Sequence, residues 1–294
     1  METQIERQKE TLELELPLSS KLQPAQPQIN YKKVLQECGT AELIEFTLGI
    51  GCPVQCNRYC PQEVLIKKYG NKERLMSFEV FKQVLAKIPK NVQLNFGGFC
   101  EPFVNPEFVR MAEFAYNFGY KLQVFTTLHG ATRSDVERLL NLQYTSFTLH
   151  LRDGHVAKFK PSQEYKDNVF RILEGIPNVQ LCIMNELFKS NNRENTARGI
   201  LPTSKTVGYC HKLETPQFVL LPDGSMYVCC MDFGLRHPVG NLLQENYRTI
   251  KQRFLAREKT PGLCVYCSES TSQRWTLYNN VIGKAKRIGS SAFQ

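Results

Sequence analysis

Apolar residues along this chain follow two periods in turn, one of two positions and one of three to four. Short alternating or continuously apolar runs predict strands at residues 43–48, 92–96, 121–127, 146–151 and 179–184. Apolar residues at helical spacing predict helices at residues 77–88, from 105 onward, 132–140 and 162–173. This regular alternation predicts an α/β fold whose parallel sheet is built from right-handed β-α-β units.

Capping residues mark where two of the helices should begin. Ser77 is expected to be the N-cap of the first helix, and Asn105 is expected to cap a helix that Pro106 opens. In a parallel sheet the ligand site lies beyond the carboxyl ends of the strands. The loops after the first, second and fourth predicted strands are therefore the candidate functional segments.

The pattern changes after residue 205. Two apolar stretches, 218–221 and 225–230, flank Pro222-Asp223-Gly224, which is a strong β-hairpin signal, and a helix is predicted at 247–256. We expect four segments, namely an N-terminal extension or linker at 1–40, a core at 41–205, a small hairpin-and-helix domain at 206–276 and a tail at 277–294.

Composition limits the class of protein. The 294 residues, 42% of them hydrophobic, can form one sizeable core with a small appendage. The net charge of +9 favours an anionic substrate or partner, although a solubilising surface is the more ordinary explanation. No secretion signal and no apolar run of the ~18 residues that span a bilayer are visible, so we expect a cytoplasmic protein without a membrane partner.

Eleven cysteines are many for a cytosolic protein, and seven of them form two groups. The first group is Cys52, Cys56 and Cys60, and the second is Cys229, Cys230, Cys264 and Cys267. In a reducing compartment such grouping indicates metal or redox ligation rather than disulfides.

The first cysteine group follows the first predicted strand. Three thiols within nine residues of loop suit an iron–sulfur cluster, because each thiolate must reach a different iron. Three ligands leave one iron open to a substrate or cofactor. Three unligated cysteines and a zinc site are the alternatives, but zinc requires a fourth ligand and none lies in this loop.

This strand, loop and helix resemble the signature region of the radical S-adenosylmethionine (SAM) superfamily. The resemblance implies a 4Fe–4S cluster whose open iron binds SAM and whose reduced form cleaves it to a 5′-deoxyadenosyl radical. The family spacing is Cys-x3-Cys-x2-Cys, whereas this chain has Cys-x3-Cys-x3-Cys, with Tyr59 before the last cysteine.

Further motifs fit the same resemblance and imply a cofactor site. Gly97, Gly98 and Glu101 resemble the Gly-Gly-Glu segment that contacts the SAM amino group. The end of the third strand resembles the family's Thr-Asn-Gly turn, which implies that Thr127, or alternatively Thr126, contacts the ribose or carboxylate. Arg198 lies in a segment similar to one that holds the SAM carboxylate. Ordinary turns and an exposed arginine are the alternatives for these positions.

Residues after the fourth strand are the candidates for substrate contact. Arg152 and Asp153 are predicted to be catalytic, with a plain surface turn as the alternative for Asp153. Three other cysteines, Cys38, Cys100 and Cys182, are expected to be ordinary free thiols.

The second cysteine group indicates another metal site. Four thiolates can close a cluster completely, which suits electron transfer. The order of hairpin, helix and cysteines resembles the short Twitch form of the SPASM auxiliary-cluster domain, which implies one auxiliary 4Fe–4S cluster. A structural zinc ion is the alternative occupant, and Cys230 is an alternative to Cys229. The implied ligands are Cys210, Cys229, Cys264 and Cys267.

The resemblance as a whole implies a partial (β/α)6 radical SAM barrel with a small auxiliary-cluster domain. The expected activity is oxidation or other radical tailoring, as by a dehydrogenase, of a small sugar-like substrate, with flavodoxin or ferredoxin as reductant. Modification of a peptide or protein is the alternative reaction. The alternative from another class of protein is a non-catalytic iron–sulfur or zinc module that binds an acidic partner or nucleic acid. For the enzyme, nucleic acid is not an expected partner.

Overall fold

The computed structural model describes most of the chain after residue 41. The described residues are 42–54, 56, 60–152, 159–184, 197–198, 208–213, 215–258, 261–267 and 271–272. The expected N-terminal linker, the C-terminal tail, Cys38 and Asp153 lie outside them. All described residues belong to one compact unit.

The described residues of this unit form ten strands and seven α-helices. The strands are β1 (Leu43–Phe46), β2 (Gln93–Phe96), β3 (Leu122–Thr126), β4 (Tyr144–Arg152), β5 (Gln180–Met184), β6 (Gly208–Tyr209), β7 (Gln217–Leu220), β8 (Ser225–Tyr227), β9 (Pro238–Asn241) and β10 (Thr271–Ser272). The helices are α1 (Gln62–Tyr69), α2 (Phe78–Leu85), α3 (Phe108–Asn117), α4 (Arg133–Leu139), α5 (Gln163–Gly175), α6 (Tyr247–Leu255) and α7 (Gly262–Val265).

Eight of these strands form one sheet, in the order β5-β4-β3-β2-β1-β7-β8-β9. Strands β1 to β5 and β7 run parallel, whereas β8 and β9 are antiparallel additions at the far edge. The predicted α/β class is confirmed. The sixth parallel strand is β7, which pairs with β1 and not with β5, so the sheet extends on both sides of the first strand.

One face of the sheet packs against helices. Alternate strand residues such as Ile44, Leu94 and Leu149 are fully buried there together with Phe81 of α2 and Ile172 of α5. Period-two alternation in the strands and helical spacing between them produce this core because each element offers one apolar face to the other.

One of the two helices with a predicted N-cap begins where expected, and the other does not. The Ser77 side chain accepts a hydrogen bond from the Val80 backbone N–H, as expected of an N-cap. The prediction that Asn105 is the N-cap was wrong, because α3 begins at Phe108 with Glu107 as its N-cap residue, although the Asn105 Oδ1 atom accepts the Glu107 backbone N–H at 2.9 Å. The Asn105 amide is buried instead, and it donates to the Leu48 and Met76 carbonyl oxygens at 3.0 and 2.7 Å.

The predicted hairpin is present and belongs to the main sheet. Val219 of β7 pairs with Tyr227 of β8 across the turn at residues 221–224, and Leu220 pairs with Met226. The segment predicted as a separate domain therefore shares a sheet with the core, and the boundary at residue 206 stays a prediction. Strands β6 and β10 form a second, two-stranded antiparallel sheet.

None of the helices in the described part of the chain combines the length and apolar character that crossing a membrane requires.

Candidate active site and cysteine groups

The candidate site lies at the carboxyl ends of three neighbouring strands. The loop after β1 carries the first cysteine group, the loop after β2 carries Gly97 to Glu101, and β3 ends at Thr126. Because β1, β2 and β3 are adjacent and parallel, their following loops meet at one edge of the sheet. The predicted cofactor-binding segments are thus brought together by the topology.

A glutamine that no motif singled out ties two of these loops together. Gln62, the first residue of α1, accepts a hydrogen bond from the Cys52 backbone N–H at 3.3 Å. Its side-chain amide also donates to the Phe99 carbonyl oxygen at 2.6 Å. Gln62 therefore fixes the start of the cysteine loop against the Gly97–Glu101 segment. Glutamine is common at helix starts, so the sequence alone gives no signal of this role.

None of the three cysteines of the first group forms a disulfide. The Cys56 and Cys60 side chains are hydrogen-bonded to each other, and this contact together with burial raises the pKa of Cys56 above its usual range. The pKa of Cys52 is lowered by a hydrogen bond with another thiol, Cys100, against the opposing effect of burial.

The donor chemistry of these thiols suits an iron–sulfur cluster. Among the residues with described positions, no three His, Cys, Asp or Glu side chains converge closely enough to hold one metal ion. In an iron–sulfur cluster each thiolate binds a different iron, so the donors surround a larger centre. Three thiols in one loop that contains no carboxylate and no imidazole are the donor set that such a cluster takes.

Cys100 has a closer connection with this group than its sequence position indicated. It is unbridged, as expected of a free thiol, but it is buried and hydrogen-bonded to the Cys52 side chain. The available signal was its place inside the Gly97–Glu101 segment, where the family often has glycine.

Glu101 joins the β2 loop to the end of β3. Its carboxylate is buried and accepts hydrogen bonds from the Thr126 hydroxyl and from the Thr127 backbone N–H and hydroxyl, the last two at 2.7 Å. Burial raises the pKa of Glu101, although these hydrogen bonds oppose the shift. Glu101 and Thr127, two predicted cofactor-binding residues, are thus in direct contact.

Gly98 allows the β2 loop to approach β1. Its φ of +63° lies in the left-handed region, and a Cβ there would stand 2.4 Å from the Thr47 Oγ1 atom. That same Oγ1 atom accepts the Phe99 backbone N–H at 3.0 Å. A side chain at position 98 would therefore break the contact that aligns the two loops.

The remaining predicted residues of this site are less fully described. Arg152 ends β4 at the same edge of the sheet, and Asp153 is outside the described residues. Arg198 is exposed, and its neighbour Ala197 belongs to a buried cluster that includes Ile50 and Phe99. The Ala197 carbonyl oxygen accepts from the Arg236 guanidinium at 3.5 Å.

The second cysteine group and Cys210 come together from three segments of the chain. Burial raises the pKa of Cys264 to about 12, with further contributions from Cys210 and Cys267. Burial also raises the pKa of Cys229, and its neighbours include Cys230 and Cys264. The structure thus brings the four predicted ligands and the alternative Cys230 into one neighbourhood.

Asp232 and His237 link the hairpin to the helix that carries Cys264. The buried Asp232 carboxylate accepts the Arg236 and His237 backbone N–H groups at 3.0 and 2.8 Å. The His237 Nε2 atom accepts the Leu263 backbone N–H of α7 at 3.4 Å. These bonds hold two cysteine-bearing segments in a fixed relation.

Lys212 connects the second cysteine group to the main sheet. Its Nζ atom lies 3.7 Å from the Cys230 Sγ atom and 3.8 Å from the Glu45 Oε1 atom of β1. Burial alone would lower the pKa of Lys212, but the nearby Cys230 and Glu45 groups outweigh it and raise the pKa above its usual range. A cation at this place would offset the negative charge of bound thiolates.

The sheet face opposite α2 to α5 carries a row of polar side chains. Strand pairing places Glu45 beside Asn95 and Asn95 beside Gln123. On β4, Thr148 and His150 are two residues apart and lie on the same face. We call these five residues the polar sheet face. The Asn95 Oδ1 atom is buried and has no hydrogen-bond partner within the described structure. A buried acceptor of this kind calls for a donor from water or a ligand.

His150 on this face makes stability depend on pH. Burial lowers its pKa to about 4, from 6.5 when exposed. Below pH 6.5 this histidine binds a proton in the unfolded chain but not in the folded chain. The free energy of unfolding therefore decreases as the pH falls from 6.5 to 4. Urea unfolding at pH 7 and pH 5 should show that the free energy of unfolding decreases less for His150→Gln than for wild type. Equal losses in the two proteins would contradict the assignment.

A parallel sheet flanked by helices, with a three-cysteine loop at the carboxyl end of its first strand, defines the α/β fold class that the radical SAM motifs predict. Solved structures confirm this fold. BtrN in complex with AdoMet and 2-DOIA matches with a TM-score of 0.55 and 18% identity, over 79% of this chain and 95% of BtrN.

Two further structures are similar. An open conformation of BtrN matches with a TM-score of 0.53 and 14% identity, over 79% of this chain and 94% of that one. Streptococcus suis SuiB bound to the precursor peptide SuiA matches with a TM-score of 0.44 and 11% identity, over 86% of this chain and 78% of SuiB. No protein-family model and no curated protein sequence matches this chain.

Proposed function

We propose that this chain is a radical SAM enzyme, with a 4Fe–4S cluster on Cys52, Cys56 and Cys60. When bound, that cluster supplies the electron for cleavage of SAM to methionine and a 5′-deoxyadenosyl radical. The observation that carries the proposal is the position of three thiols in the loop at the carboxyl end of β1, beside the segment that contains Glu101. The fold shared with BtrN, which was solved with AdoMet, supports it.

The chain's own residues would place SAM against the cluster. Gly97 and Gly98 bring the backbone to the site without side chains, so that carbonyl oxygens there can accept from an ammonium group. Thr127 is held in place by Glu101 and can face the ribose or carboxylate. Arg198 would pair with the carboxylate from the other side of the loop.

We further propose that the substrate is a small polar molecule with hydroxyl or amino groups. The polar sheet face supports this, because Glu45 and the unpartnered Asn95 oxygen both require hydrogen-bond donors. Arg152 and Asp153 would contact the substrate from the end of β4. BtrN, of the same fold, was solved with the small molecule 2-DOIA.

The second cysteine group would hold one auxiliary 4Fe–4S cluster. Four thiols, with Lys212 near them, can close such a cluster and offset its charge. A closed cluster cannot bind SAM, so its role would be to accept the electron that the substrate radical releases on oxidation. Flavodoxin or ferredoxin is the proposed reductant for the first cluster.

The test is cleavage of SAM by anaerobically reconstituted protein. With dithionite as reductant we expect 5′-deoxyadenosine and methionine in equal amounts, and iron and acid-labile sulfide equivalent to about two four-iron clusters per chain. Chromatography of the products and colorimetric iron and sulfide assays measure both. Zinc without acid-labile sulfide, or iron–sulfur protein that leaves SAM intact, would contradict the proposal.

A further inference from the structure

Two residues of the polar sheet face keep unused hydrogen-bonding capacity. Asn95 is 3% exposed, and its Oδ1 atom has no hydrogen-bond partner within the described structure. Glu45 is the neighbour of Asn95 on β1 and is also buried. Among the described residues, the polar contact of the Glu45 carboxylate is the Lys212 Nζ atom at 3.8 Å. That distance is too long for a hydrogen bond, so the carboxylate oxygens can still accept.

The neighbouring strands do not supply the missing donors in this structure. Val219 of β7 lies beside Glu45 on its other side and is apolar. Gln123 of β3 lies beside Asn95, but its amide donates to the Gln93 Oε1 atom at 2.6 Å. Donors for these buried acceptors must therefore come from water or from a bound molecule.

The Asn95 oxygen is open toward the segment proposed to contact SAM. Gly97 follows Asn95 by two residues, and a Cβ at Gly97 would stand 3.6 Å from the Asn95 Oδ1 atom. A side chain at position 97 would therefore crowd that oxygen. On the other side, the Lys212 Nζ atom lies 3.7 Å from the Cys230 Sγ atom. A molecule bound to Asn95 and Glu45 would thus lie between the Gly97 segment and the second cysteine group.

We propose that Glu45, Asn95 and Lys212 form a subsite that selects a neutral polyol over its charged relatives. The inference rests on the proposed function, because it specifies the small polar substrate proposed there. One hydroxyl would donate to the Asn95 Oδ1 atom. A second would donate to Glu45 and accept from Lys212, since a hydroxyl is both donor and acceptor. Neighbouring strands are ~4.8 Å apart, a separation that two hydroxyls on one sugar ring can span.

The balance of charge decides the class of ligand. Lys212 and Glu45 carry opposite charges and offset each other. An ammonium or carboxylate group bound beside them would find no counter-charge left, and burying an unpaired charge costs far more than burying a hydrogen-bonded hydroxyl. A hydroxyl can use both charged groups and adds no charge.

The experiment measures the binding of three probes to reconstituted protein with SAM and without reductant, by ligand-observed NMR. The probes are myo-inositol, which is neutral, glucosamine, which is a cation, and gluconate, which is an anion. Wild type should bind myo-inositol most tightly. Asn95→Leu has a similar size but no polar side-chain atom, and should weaken that binding about fivefold, the effect of one lost hydrogen bond.

Charge variants test the selection itself, because a purely structural role would not change the order of the probes. Glu45→Gln leaves the Lys212 charge without its counter-charge and should shift the preference to gluconate. Lys212→Met leaves the Glu45 charge and should shift it to glucosamine. The matched control is Lys72→Met, which removes an exposed ammonium that pairs with Asp223 at 2.7 Å and should keep the wild-type order.

Three results would overturn the inference. The first is a wild-type protein that binds a charged probe as tightly as myo-inositol, or binds none of the three. The others are unchanged myo-inositol binding in Asn95→Leu and an unchanged probe order in Glu45→Gln, which decides the charge argument alone if Lys212→Met does not fold. SAM cleavage without the expected probe order would overturn only the subsite, whereas the probe order without SAM cleavage would overturn only the proposed function.

Discussion

Replacing Cys52, Cys56 and Cys60 together with alanine is expected to abolish SAM cleavage and to remove about half of the bound iron. The three thiols are the only cysteines of the loop after β1, and each would bind a different iron. Without them no open iron exists to bind SAM. Production of 5′-deoxyadenosine and total iron per chain are the two measurements.

A variant in the second group provides the matched control. Cys264→Ala with Cys267→Ala should also lose about half of the iron but should still cleave SAM, because a closed auxiliary cluster does not bind it. Equal cleavage by the triple variant and wild type would show that the catalytic cluster lies elsewhere. Loss of cleavage in both variants would instead show that the two sites depend on each other for folding.

Glu101→Ala should be the most destabilising single substitution at the site. Its carboxylate is the acceptor for the Thr126 hydroxyl and for two donors of Thr127, all of them buried. A buried donor left without an acceptor costs about 1–3 kcal/mol, so we expect a loss of about 3 kcal/mol or more in the free energy of unfolding. Denaturant unfolding measures this loss, and SAM binding should weaken because Thr127 is released.

Two variants test whether the network causes this loss. Glu101→Gln keeps one acceptor oxygen and the shape of the side chain, so it should lose less than alanine. Glu107→Ala removes a more exposed carboxylate that accepts one backbone N–H, from Phe78 at 3.0 Å, and should cost about 1 kcal/mol. The prediction is wrong if Glu101→Ala costs no more than Glu107→Ala.

The elements of the fold were predictable because their signals are local. Alternation in residues 43–48 and helical spacing after Ser77 depend on neighbours within a few positions, and both gave the observed elements. The N-cap prediction for Asn105 failed because it used local sequence alone. Its local pattern is that of an N-cap, but its amide is needed by two carbonyl groups, Leu48 and Met76, that are distant in sequence.

Contacts within the candidate site were predictable only in part. The cysteine motif and the Gly-Gly-Glu segment indicated which loops belong together, and parallel strand order brings them to one edge. The contacts of Gln62 with Phe99 and of Cys100 with Cys52 were not predictable. Each joins residues at least 37 positions apart, and the pattern of apolar and polar residues does not record such contacts. The placement of β7 beside β1 was equally hidden, since strand order is not encoded in any one segment.

The pairing of β7 with β1 also governs when the site can form during synthesis. Leu43 of β1 pairs with Gln217, and the Thr47 backbone N–H donates to the Leu220 carbonyl oxygen at 2.9 Å. A nascent chain that has not yet reached β7 leaves β1 as an edge strand with unpaired backbone groups. The first cysteine loop, although it is made early, therefore gains its full support only when the ribosome has delivered the segment between the two cysteine groups. Metal that binds before that point would bind a loop whose strand, β1, is not yet paired with β7.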